Sequence, residues 1–76
     1  MKEILELIIK NLVDDKESIS INEIKNDKNV VLQVKVASAE MGKIIGKQGR
    51  VAKSIRGIMK AIAIKEHVRV NVEFLD

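Results

Sequence analysis

Between Ser38 and Glu66 the chain carries a helical pattern that is broken at one place, where Gly46 and Gly49 stand three residues apart. Two glycines so close weaken any continuous helix and let the backbone enter positive φ. The spacing therefore predicts a short helix from Ser38, a sharp Gly-x-x-Gly loop, and a longer helix from Arg50 to about Glu66. Ser38 is expected to cap the first helix by accepting a hydrogen bond from a free backbone N–H, with Glu40 in the first turn, where a carboxylate suits the helix dipole. On the second helix, Val51, Ile55, Ile58 and Ile62 fall within a narrow sector at about 100° per residue and are read as the buried stripe. Ala52, Met59 and Ala63 flank that stripe, Ile64 is left near the surface, and Lys53, Arg56 and Lys60 lie close to the opposite side.

The flanking segments complete one pattern. Ile4, Leu5, Ile8 and Leu12 recur at helical spacing among Lys2, Glu3, Glu6 and Lys10, which predicts an amphipathic helix over residues 2–13 ending near Asp14. The segment SISINEI alternates Ile19 and Ile21 with polar residues at the period of a strand. After the polar turn Lys25 to Asn29, VVLQVKV places Val30, Leu32, Val34 and Val36 on one face, so the two segments read as an antiparallel hairpin. Finally VRVNVEF alternates Val68, Val70, Val72 and Phe74 with Arg69, Asn71 and Glu73. The order α-β-β-α-α-β makes the second and third strands parallel, joined right-handedly through two helices. The expected fold is α+β, a three-stranded mixed sheet with three helices packed on one face. With no proline, linker or repeat, residues 1–76 are expected to form a single domain.

Composition narrows the chemistry. A hydrophobic share of 46% and a charged share of 33% fit a folded chain rather than a disordered one. No cysteine is present and His67 is the lone histidine, so thiolate metal sites and imidazole clusters are excluded. Asp14, Asp15 and Glu17 read as a solvated turn rather than a metal site. Apolar runs are short and interrupted by charge, which implies a soluble, cytoplasmic protein with no membrane partner. Residues 39–76 hold eight basic and four acidic side chains, and Met41 to Lys65 contains seven bases and no acid. A polyanion is the natural partner of such a stretch. A core of this size gives marginal stability, which makes self-association plausible.

The loop itself carries specific chemistry. Gly46 and Gly49 allow a close backbone approach, the start of the following helix adds partial positive charge, and Lys47 and Gln48 stand at the tip. Arg50 and Lys53 extend the cationic surface, with Lys43 before the loop. A nucleotide-binding P-loop is excluded because Met41 stands where its first glycine belongs and Gln48 where its hydroxyl belongs. The dinucleotide fingerprint fails at Ile44. An ordinary turn between helices would explain the glycines alone, and a solvated helix face would explain Lys53, Arg56 and Lys60. No set of catalytic residues, metal ligands or cofactor contacts can be assembled.

Ile44-Ile45-Gly46-Lys47-Gln48-Gly49 between two helices resembles the [I/V]-I-G-x-x-G signature of KH domains. The element order resembles the type II arrangement, and the length resembles the stand-alone bacterial KH proteins of the KhpA family. That resemblance implies single-stranded RNA binding without catalysis, in an RNA chaperone or post-transcriptional regulator. The glycine loop would grip the backbone beside a groove for about four nucleotides. Ile44, Ile45 and Val51 would form one wall, with the sheet and the loop Lys25 to Asn29 forming the other. It also implies a homodimer, or a heterodimer with a larger Jag-type KH protein. Phe74, the sole aromatic residue, is expected in the core, which sets the chain apart from modules that stack bases on aromatic rings. The alternatives are a dimerisation or assembly module and, from the glycine-containing turn between helices, a helix-turn-helix DNA reader.

Overall fold

The computed structural model describes residues 1–75, the side chain of Lys47 excepted. Helix α1 spans Lys2–Lys10 and is followed by a 3-10 turn at Lys16–Ser18. Strands β1 (Ser20–Asn26) and β2 (Asn29–Lys35) precede helices α2 (Ser38–Ile45) and α3 (Arg50–Lys65), and strand β3 (Arg69–Leu75) closes the fold. The sheet order is β1-β2-β3, with β2 antiparallel to β1 and parallel to β3.

The β-branched run of β2 puts it in the middle of the sheet. Val30, Leu32 and Val34 are buried on its inner face, and Val36 just beyond the strand joins them. All three helices cover that face, contributing Leu5 and Ile9, Met41 and Ile44, and Ile55 and Met59 to one apolar core. Across the outer face, the Asn22 amide donates to Gln33 and the Gln33 amide donates to Glu73, a polar row over all three strands. Hairpin β1–β2 turns through Asp27 and Lys28, with Asp27 at φ 57°, a conformation aspartate tolerates better than most residues.

Four expectations change. The buried stripe of α3 is Ala52, Ile55, Met59 and Ala63, while Ile58 is 47% exposed and Val51 and Ile62 are half-buried. The stripe is thus rotated by about 75° from the one expected, and two alanines are buried in it where larger apolar residues were expected. On α1 the same happens: Leu5 and Ile9 are buried and Ile4 is exposed. That helix also stops at Lys10, where the Asn11 amide donates to the Leu7 carbonyl and the chain tightens into a turn that buries Val13. Ser38 does not cap α2; Ala37 precedes the helix with no side-chain cap, and the Ala37 N–H donates instead to the Ser18 hydroxyl.

Candidate functional site

The glycine loop begins where α2 ends. The Gly46 N–H donates to the Gly42 carbonyl at 2.9 Å, and Gly46 then takes φ 70° and ψ −175°. Gln48 and Gly49 come next in the left-handed region, at φ 57° and 72°. Three of four successive residues with positive φ turn the chain sharply into α3. At Gly46 a Cβ would sit 2.5 Å from the Val51 Cγ2 atom, so the position excludes every side chain. Around Gly49 the space is open, and only the backbone angle favours glycine there.

Behind the loop, α3 starts without the usual compensation of a helix N-terminus. No side chain caps it, and its first turn contains no acid. It carries Arg50 and Lys53 instead, both exposed. Cations at the positive pole of a helix are unfavourable by themselves, and an anion drawn from solution relieves that repulsion while accepting bonds from the free N–H groups.

Several of the other expected site residues are engaged within the fold. Ile44 is fully buried and holds α2 on the sheet, so it is not a groove wall; Ile45, 37% exposed, faces solvent. Lys43 places its Nζ 2.5 Å from Asp14 Oδ2 and 3.1 Å from Glu40 Oε1. The Glu40 carboxylate is buried, and it also accepts from the backbone N–H groups of Asp14 and Asp15. Those backbone bonds, with help from Lys43, hold the Glu40 carboxyl below its ordinary range, while Lys43 lowers Asp14 and is itself raised by both carboxylates. Sequence reasoning gave Glu40 only a dipole role; its i, i+3 spacing to Lys43 was the one available sign of more. Among the described residues no group of metal-ligating side chains gathers around the acidic turn. The side chain of Lys47 lies outside the described residues.

The loop Lys25 to Asn29 is at the wrong end of the molecule to face the glycine loop. The Arg69 N–H donates to the Lys28 carbonyl, which places that turn beside the start of β3 and the end of α3. Helix α3, 16 residues and about 24 Å long, separates it from Gly49. The segment that lies against α2 is the connection through Asp14 and Asp15. Phe74 is half-buried rather than enclosed, with the Arg56 guanidinium 5.1 Å from its ring centroid and the Arg56 Nε–H donating to the Val72 carbonyl. His67 is exposed, and no helix among the described residues is long and apolar enough to cross a membrane.

An α-β-β-α-α-β order, a mixed sheet under three helices and a Gly-x-x-Gly turn between the second and third helices define a type II KH domain. Residues 2–74 match the sequence model of the KH domain of KhpA and KhpB, and the chain belongs to this family. The RNA-binding protein KhpA of Clostridium perfringens is 49% identical over 75 residues, covering 99% of this chain and all of that one. KhpA of Clostridium acetobutylicum is 48% identical with the same coverage. KhpA of Aquifex aeolicus is 46% identical over all of this chain and 96% of its own. No solved structure matches the chain.

Proposed function

We propose that the chain, acting as one KH domain, binds single-stranded RNA without catalysis and serves as an RNA chaperone or post-transcriptional regulator in the cytoplasm. The observation that carries this reading is the uncapped, acid-free start of α3 behind a loop of positive-φ residues. Gly46 and Gly49 bring the backbone amides to the phosphates, Lys47 and Gln48 contact the strand, and Arg50, Lys53 and Ile45 border it. The names of the relatives point the same way. Lys43 and Ile44 act from behind, by fixing α2.

The test replaces Lys47 and Gln48 with aspartates, which sets two negative charges against phosphate and leaves both glycines and the core in place. Binding of a short single-stranded RNA, followed by fluorescence anisotropy at moderate salt, is expected to drop at least tenfold. A folded K47D/Q48D variant that binds as tightly as the parent overturns the reading. A second reading, assembly with another copy or with a Jag-type KH protein, is favoured by the exposed apolar side chains Ile4, Leu7 and Ile58 on α1 and α3, and it is compatible with the first.

A further inference from the structure

Lys43 stands in the last turn of α2, directly before the glycine loop. Of the described basic side chains between Met41 and Lys65 it is the one held by acids, since Arg50, Lys53, Arg56, Lys60 and Lys65 form no ion pair among the described residues. Its Nζ lies 2.5 Å from Asp14 Oδ2 and 3.1 Å from Glu40 Oε1. Glu40 precedes it by three residues on the same helix, so the ammonium is drawn back along α2 and away from Gly46.

The two acids differ in what else they do. Glu40 is buried, and its Oε2 accepts from the backbone N–H groups of Asp14 and Asp15, so it pins the α1–β1 connection to α2 without needing Lys43. The Asp14 side chain is 90% exposed, and its carboxylate accepts from Lys43 and from no other donor among the described residues. An exposed pair of this kind contributes little to stability. Its effect on a ligand is another matter. At three residues' separation Lys43 is about 4.5 Å from Gly46 along the helix axis, well inside the screening length of about 8 Å at physiological salt.

We propose that Asp14 sets the RNA affinity of the glycine loop by withholding Lys43 from it. While the pair is closed, the Lys43 charge is neutralised by Asp14. When the pair opens, the flexible four-carbon stem lets the ammonium swing forward to a phosphate beside Gly46. Lys43 then exchanges one exposed carboxylate oxygen for one phosphate oxygen, and Glu40 keeps α2 in place through its two backbone bonds. Asp14 is thus a positioning residue that acts through Lys43. The proposal rests on the RNA reading of the loop.

The test follows a fluorescent oligouridine of about eight residues by anisotropy over a range of salt. It compares the parent chain with D14N, K43Q, D14N/K43Q and D14E, whose changes are confined to exposed side chains. D14N is expected to bind about three- to fivefold more tightly, the equivalent of one exposed ion pair. Its slope of log K against log salt should steepen by up to about 0.7, one further phosphate neutralised. K43Q should bind no more tightly than the parent, D14N/K43Q should match K43Q, and D14E, which keeps the carboxylate, should stay near the parent. Both single changes break the same ion pair, so a purely structural role moves affinity in the same direction for both, and that result overturns the proposal. A gain from D14N that persists beside K43Q also overturns it, because the carboxylate then acts on RNA through its own field. So does the absence of any gain. The K47D/Q48D variant separates the two ideas: if it binds as the parent does while D14N still gains through Lys43, the loop reading fails and control by Asp14 stands. If it loses binding while D14N gains nothing, the loop reading stands and control by Asp14 fails.

Discussion

At Gly46 the backbone has φ 70° and ψ −175°, a region that essentially only glycine occupies, and Val51 fills the space a side chain would need. At Gly49 the angles are φ 72° and ψ 15°, which asparagine also adopts, and nothing lies within 4 Å of the missing Cβ. The two glycines therefore differ in what replaces them. Gly46→Ala is expected to cost about 2–4 kcal/mol, combining backbone strain with the displacement of Val51. Gly49→Asn should cost only about 1 kcal/mol. Urea denaturation of both variants measures this, and equal losses would show that the Val51 contact is unimportant. That the chain turns through positive φ at both positions was legible in the sequence because loop conformation is a local property. The roles of Ile44 and Glu40 were not. Which face of a short helix is buried depends on what it packs against, and Glu40 meets partners 25 and 26 residues away.

Among the elements, the strands were the easiest to read, since alternating β-branched residues fit a sheet and little else. The helices were recognised as helices but misjudged in phase. A reading that weights large apolar side chains selects Ile58 and Ile4, whereas the fold buries Ala52 and Ala63, small residues that such a reading passes over. The connection between α1 and β1 shows a further dependence on tertiary contacts, being pinned to α2 by Glu40 and Lys43. Glu40 and Asp14 have lowered pKa values in the folded chain. Their contribution to stability is therefore complete above the ordinary carboxylate range and is lost as pH falls through their lowered folded values. The thermal midpoint should decline below about pH 4. Lys43, raised by the same contacts, gives the opposite sign, losing its contribution as pH climbs past the ordinary lysine value. Glu40→Gln is expected to lower the midpoint at neutral pH and to flatten the acid decline, because the proton-linked group is gone. An unchanged acid profile in that variant would assign the decline to other carboxylates.

At the scale of the whole molecule, 76 residues bury only about 60% of the surface that the unfolded chain exposes, so stability is marginal. Against that background Leu7 and Ile64 remain 63% and 65% exposed, with Ile4 and Ile58 also open to solvent. Covering part of this surface with a second copy would add burial that one chain cannot reach alone. Linkage then makes the midpoint depend on concentration. For a folded dimer that unfolds to two chains, a tenfold increase in protein stabilises the pair by about 1.4 kcal/mol, or about 0.7 kcal/mol per chain. In a domain of this size that raises the thermal midpoint by roughly 3–5 °C. Calorimetry over two decades of concentration should give a steady rise of that size per decade if the chain folds as a dimer. A midpoint that stays constant assigns these apolar side chains to another partner or to solvent, and leaves one chain as the folding unit.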